Sequence, residues 1–349
     1  MHAWWTDPDS LRHVLDELRR ALPGTHLAQP APGFVAVDDV AHPPLIAFAR
    51  QALPNARNVA LPSIRLAAEA IADEVMAHVA DDAPWRLHVA PCYGAATAGQ
   101  HRCHLIDQAV VDILRRRRKQ RLRLRLPDGA PPQPGEAWCQ WLLTSPDNAL
   151  ASVLKPGDAA AWRASLVPHP AGDIPVAVDK AAPSRAFAKL AEAEIRLGER
   201  IEPGQTVVDL GACPGSWTHW AVARGARVVA VDRSPLREDL MAHARVQFVQ
   251  GDAFRFEPPA PVDWLVCDVI AAPQRSIDLA LHWARQRWAR RLVVTIKFKG
   301  DAEYALLDQL KSGLAPACLE FRLARLCANR NEACVMAVLP PAPPTPPPA

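Results

Sequence analysis

The stretch from Asp209 to Trp217, DLGACPGSW, has the residue types and spacing of a ligand-binding turn between a strand and a helix. Thr206 to Leu210 (TVVDL) is a short apolar run rich in β-branched residues, and Trp217 to Ala223 begins a helix. Gly211 and Gly215 carry no Cβ, so the backbone at both can come close to a bound molecule. A dinucleotide site wants G-x-G-x-x-G with a pyrophosphate at the helix N-terminus. Here the spacing is G-A-C-P-G-S, and the strand ends in Asp209. Asp232 closes a second strand, Arg227 to Val231, and can accept both hydroxyls of a ribose. A third strand, Val246 to Val249, leads into Gly251, Asp252, Ala253 and Phe254, a polar and apolar set suited to a purine edge and face. A fourth, Trp264 to Cys267, delivers Asp268. Any one carboxylate at a strand end is commonplace in a doubly wound sheet. Four of them around this loop suit a cationic sulfonium nucleoside and disfavour an anionic dinucleotide. The candidate cofactor contacts are Asp209, Gly211, Cys213, Pro214, Gly215, Trp217, Asp232, Asp252 and Asp268.

Such residues need a parallel α/β sheet that presents the carboxyl ends of its strands to one crevice, the Rossmann-like arrangement expected for residues 176–339. Upstream, Asp9 to Leu22 places leucines and a valine at helical spacing. Gly33 to Val40 reads as a strand, Leu66 to Ala80 as a helix, and Trp85 to Ala90 and Ala137 to Thr144 as strands. These predict an α+β region before the catalytic one, with the passage between them at Ala171 to Ala182. Residues 340–349 are mostly proline and are expected to be a disordered tail.

Charge is concentrated in one place. From Arg102 to Arg125 there are nine basic residues and two acidic ones, although the whole chain carries a formal charge of only +3. A helix over His104 to Leu114 runs into RRRRKQRLRLRL. In its second part Arg121, Arg123 and Arg125 alternate with leucines, so a strand would line the guanidiniums along one face. Arg115, Arg116, Arg117, Arg118, Lys119, Arg121, Arg123 and Arg125 are therefore the candidate nucleic-acid contacts. The bland alternative is a solvated helix end followed by a charge-guarded edge strand.

With 349 residues, half of them apolar, the chain is long enough for two cores. No apolar run approaches a membrane span, and the N-terminus does not resemble a signal peptide. A soluble, cytoplasmic protein with no membrane partner is the expectation. The eight cysteines form no C-x-x-C pair, which argues for reduced thiols. His101, Cys103 and His104, with Cys92 upstream, are of zinc-ligating types, but their spacing fits no finger pattern, and no metal is assigned.

Read in order, DLGACPGSW, VVAVDRSP, GDAFRF, WLVCD and TIKFKG resemble the FtsJ-like ribose 2′-O-methyltransferases, most of all the bacterial enzymes acting on a 23S rRNA cytidine. The resemblance is close over residues 176 to 339 and looser over 30 to 145. It implies a Rossmann-like class I methyltransferase domain preceded by a THUMP-like RNA-binding region over 31–175. Residues 1–30 would belong to a ferredoxin-like module. It also implies S-adenosylmethionine as cofactor, RNA, ribosomal by analogy, as partner, and a Lys-Asp-Lys-Glu tetrad. PSRAFAKLAEA supplies Lys189, VCD supplies Asp268, TIKFKG supplies Lys297, preferred to Lys299 for its distance to Tyr304, and NRNEACVMAV supplies Glu332. Ser216 departs from the family's usual second glycine.

In that tetrad Lys297 would take the proton of a ribose hydroxyl, each lysine would lower the other's pKa, and Asp268 and Glu332 would orient the two amines. Two other readings remain. A base methyltransferase acting on amino groups would carry an N/D-P-P-Y/F box after the fourth strand, where this chain has DVIAAP. An inactive RNA-binding or ribosome-assembly factor would have a broken tetrad, and here all four residues are present.

Overall fold

The computed structural model describes every residue except 39, 41, 42, 96, 327, 329, 330 and 343–349. Most of the proline-rich tail and Cys327 thus lie outside the described residues. The chain divides into two compact units, Met1–Ile174 and Pro175–Ala349.

The first unit holds two sheets. Strand β1 (His2–Trp5) is central to a three-stranded antiparallel sheet, with β2 (Phe34–Val37) and β3 (Gln51–Leu53) on either side and helix α1 (Leu11–Ala21) between β1 and β2 in sequence. Residues 1–30 supply β1 and α1, and the other two strands of this sheet come from residues 34–53. The second sheet has the order β4-β7-β6-β5. Its elements are β4 (Arg57–Ala60), α2 (Ile64–His78), β5 (Trp85–Pro91), α3 (Gln100–Arg117), a single turn α4 (Lys119–Leu122), β6 (Ala137–Ser145) and β7 (Asn148–Leu154). A short helix α5 (Pro156–Trp162) follows. Ser63 caps α2 by accepting the Leu66 N–H. The apolar stripes of α2 and α3 (Ile71, Val75, Ile106, Val110) pack with Trp85, Leu87 and Trp141 in one buried core. Strands β1, β3, β4 and β7 had no clear signal in the sequence, being short or adjoining turns.

The expected strand over Arg121 to Leu126 is not formed. That stretch is the α4 turn and a tight bend; it pairs with β5 at an isolated bridge between Arg125 and Trp85, and the Trp85 indole donates to the Arg121 carbonyl at 2.7 Å. The cause is where the arginines find partners. Arg121 is buried, donating Nη1 to the Val75 carbonyl at the end of α2 (2.7 Å) and Nε to Asp81 (2.6 Å). An alternating pattern predicts a strand only when both faces are free to follow it.

In the second unit a seven-stranded sheet runs in the order β10-β9-β8-β11-β12-β14-β13. The chain enters through α6 (Phe187–Leu197) and continues with β8 (Thr206–Leu210), α7 (Ser216–Ala223), β9 (Arg227–Asp232) and a short α8 (Glu238–Met241). There follow β10 (Val246–Gln250), β11 (Val262–Cys267), α9 (Pro273–Gln286) and β12 (Ala289–Lys297). The last elements are α10 (Leu306–Leu314), β13 (Glu320–Ala324) and β14 (Glu332–Val338). Strands β8 to β12 are parallel, and β14 runs antiparallel between β12 and β13. The centre is fully buried, with Val207, Trp264, Val266, Val293 and Met336 in one core. This is the expected Rossmann-like fold, and strand order reverses beside β8, where such sheets bind ligands.

Candidate active site

Lys189, Asp268, Lys297 and Glu332 come from four separate elements and meet at one point. Asp268 follows the last residue of β11, and Lys297 is the last residue of β12, so the parallel pairing brings both to the same end of the sheet. Glu332 opens β14, and the antiparallel register sets it directly opposite Lys297. Lys189 reaches in from α6 with only 7% of its surface exposed. Its Nζ lies 3.1 Å from both carboxylate oxygens of Asp268 and 2.6 Å from Glu332 Oε1. Lys297 Nζ donates to the Asp268 backbone carbonyl at 2.7 Å and lies 3.1 Å from Asp268 Oδ1. Lys299 is exposed, two residues farther along, and its backbone N–H donates to Glu303.

The charge on Lys189 is set by its neighbours. Burial opposes the charge on Lys189, but Asp268 and Glu332 outweigh it, and the ammonium is held above its ordinary range. The expected lowering by its fellow lysine is therefore overturned for Lys189. It is a fixed cation that neutralises two carboxylates.

The nucleoside-type crevice lies at the ends of β8, β9, β10 and β11. An open cleft of about 160 Å³ is lined by Gly211, Asp232, Asp252, Phe254, Ile270 and Arg275, among others. Gly211 adopts φ +75°, and a Cβ there would sit 2.9 Å from that of Val269, so both conformation and space require glycine. Both Asp232 oxygens accept backbone N–H groups, from Cys213 (3.0 Å) and Ser234 (2.9 Å). Each oxygen keeps a second lone pair that a ribose hydroxyl can use. Asp252 accepts from the Phe254 N–H (3.0 Å) and from Arg233 (2.8 Å), and these bonds hold its carboxyl below the usual range.

The remaining candidate cofactor residues are not among those lining this cleft. Asp209 is buried, and its carboxylate accepts from the Thr218 hydroxyl at 2.7 Å; burial pushes its pKa up to about 7. It ties β8 to α7 and so holds the glycine loop. Trp217 is buried in the core and donates Nε1 to the Ala186 carbonyl. Cys213 and Pro214 form the turn itself, and Gly215 is the N-cap of α7. Thr218 and Arg275 carry no motif signal, because only the folded register brings Thr218 to Asp209 and Arg275 over the Phe254 ring, 3.9 Å from its centroid.

The candidate nucleic-acid contacts divide in two. Arg115 to Arg118, Lys119 and Arg123 are exposed. Arg121 and Arg125 are structural ties, Arg121 as described and Arg125 through Asp107, at 2.5 and 3.2 Å. Of the possible zinc ligands, Cys92 and Cys103 are buried, whereas His101 and His104 lie on the exposed side of α3. Among the described residues no three ligand-type side chains gather. No helix among them is long and apolar enough to cross a membrane.

Residues 182–337 match the family model described as FtsJ-like methyltransferase. The chain is similar to proteins named ribosomal RNA large subunit methyltransferase M. The one from Laribacter hongkongensis is 36% identical over 208 residues, covering 56% of this chain and 57% of that protein. The one from Thauera aminoaromatica is 39% identical over 176 residues, covering 49% and 46%. A third, from a Marinomonas species, is 36% identical over 170 residues, covering 45% and 49%. The chain spans about half the length of these relatives in the matched regions.

Proposed function

With residues 182–337 forming an FtsJ-like methyltransferase domain, we propose that this chain is an S-adenosylmethionine-dependent 2′-O-methyltransferase of large-subunit ribosomal RNA. The observation that carries the reading is the convergence of Lys189, Asp268, Lys297 and Glu332 beside the cleft strands. The names of the similar proteins support ribosomal RNA as substrate.

The geometry divides the work. A neutral lysine amine has two N–H bonds and one lone pair. Lys297 has two acceptors in reach, the Asp268 carbonyl and Oδ1, which use both N–H bonds and leave the lone pair for a ribose 2′-hydroxyl. Lys297 takes the hydroxyl proton as the oxygen bonds to carbon, then releases it to water. S-adenosylmethionine supplies the methyl group on a sulfonium that becomes a neutral thioether on transfer. Lys189 stays protonated and fixes Asp268 and Glu332 around the base. Asp232 and Gly211 would hold the ribose side of the nucleoside, and Asp252 and Phe254 its base. Aligning the two reactants contributes on the order of 7–11 kcal/mol.

The first unit is proposed as a THUMP-like RNA-holding region of a cytoplasmic enzyme. Its exposed Arg115 to Lys119 segment and Arg123 form the phosphate-binding surface. The test is to map 2′-O-methyl sites in total RNA from cells with and without the gene. One ribose site in large-subunit rRNA should lose its methyl group and regain it with the wild-type gene but not with Lys297→Ala. A map with no ribose site lost would remove the 2′-O assignment.

A further inference from the structure

Residues 179–187, which lead into the first residue of α6, are fastened to α7 and to Arg237 beside the glycine loop by a row of contacts that the reaction scheme does not use. His219 Nε2 lies 2.8 Å from Asp179 Oδ2. Arg237 donates to the Ala181 carbonyl at 2.8 Å and its backbone N–H to the Pro214 carbonyl at 3.2 Å. The hydroxyls of Ser184 and Ser216 are 2.7 Å apart, and Ser184 Oγ also accepts the Ala186 N–H at 3.2 Å. Trp217 Nε1 reaches the Ala186 carbonyl at 2.7 Å, and Phe187 stacks on Trp220. Lys189 stands two residues beyond Phe187, the last of these contacts. Ser216 is buried, and a buried hydroxyl requires a partner. Glycine at that position would remove the bond from Ser184 to the first turn of α7.

We propose that Ser184 and Ser216 are positioning residues that set the start of α6, and with it the Lys189 ammonium, from the first turn of the cofactor-loop helix. The methyltransferase reading gives this its catalytic meaning, while the placement of Lys189 stands apart from it. Two carboxylates from different strands must receive one Nζ, so a small shift of α6 along its axis lengthens contacts of 2.6 to 3.1 Å at once. The glycine loop and the tetrad then share one rigid support.

The test uses the full chain with Ser184→Ala, Ser216→Ala, both together, and Ser216→Thr, which keeps a hydroxyl. Reductive methylation is followed lysine by lysine by mass spectrometry, with exposed Lys119 as reference. Each single alanine variant should speed Lys189 modification about 2- to 10-fold, the range that removal of one hydrogen bond allows. The double variant should add little, and Ser216→Thr should approach wild type. S-adenosylhomocysteine should bind all of them within a few-fold, and any transfer activity should lose kcat with little change in the cofactor KM. An unchanged Lys189 rate, or a rise shared by Lys119, overturns the proposal. Failure of wild-type protein to bind S-adenosylhomocysteine would instead count against the methyltransferase reading and leave the Lys189 comparison intact.

Discussion

Lys189 and Lys297 share Asp268 but differ in their other acceptors. Lys189 faces two carboxylates and is held charged, whereas Lys297 faces one carboxylate oxygen and a neutral carbonyl and its side chain is the more exposed of the two. Replacing Lys297 by alanine should lower transfer by at least about 100-fold, the scale of general base catalysis. Cofactor binding by calorimetry should change no more than a few-fold, and an active variant would rule out this base. Asp209 gives a second, independent test. Its pKa of about 7 stands above the ordinary 3.8, so between those values the folded chain keeps a proton that the unfolded chain has released. Stability from this group is therefore complete at low pH and is lost as pH rises from about 4 through about 7. Melting curves of wild type and Asp209→Asn across that range should show the wild type losing stability relative to the variant. Parallel curves would mean that Asp209 is ionised in the folded chain.

Among the elements, the basic stretch shows how a charge pattern divides between surface and support. Helix α3 carries Arg115, Arg116 and Arg117 on an exposed end, whereas the α4 turn buries Arg121 against the end of α2. Neutralising Arg115 to Lys119 should weaken RNA binding and flatten its dependence on salt, by roughly 0.7 to 0.9 in log–log slope for each phosphate no longer neutralised. Arg121→Ala should leave that slope alone and lower the melting temperature by roughly 2–4 °C for each kcal/mol of stability removed. A slope that falls with Arg121→Ala would place this guanidinium on RNA after all. The alternation of arginine and leucine was legible, but its meaning depended on the Val75 carbonyl and Asp81, 46 and 40 residues away in sequence.

At the scale of the molecule, the two compact units invite separation. A fragment covering Pro175–Ala349 contains the cleft, the tetrad and the segment that positions α6, so it should bind S-adenosylmethionine with an affinity within a few-fold of the full chain. If the first unit holds the RNA, the fragment should bind ribosomal RNA at least about 10-fold more weakly at equal salt. Equal RNA affinity would move the recognition surface into the second unit. The first unit was the less readable half, because short strands such as β1 and β3 are recognised by their pairing partners rather than by their own three or four residues.

Local chemistry in the sequence by itself determined the parallel sheet of the second unit and the glycine loop, and the family resemblance pointed to Lys189, Asp268, Lys297 and Glu332. Strand–turn–helix units and motif spacing are written over a few consecutive residues. Tertiary structure decided what lies far apart along the chain. It set Glu332 opposite Lys297, aimed Lys189 at two carboxylates, withdrew Asp209 from the cleft into a bond with Thr218, buried Arg121 and tied Arg125 to Asp107. Ser216, an unexplained departure when read alone, acquired a partner only when the segment before α6 folded across it. In each case a side chain's role follows from which donor or acceptor the fold brings within about 3 Å, and residue order alone does not contain that distance.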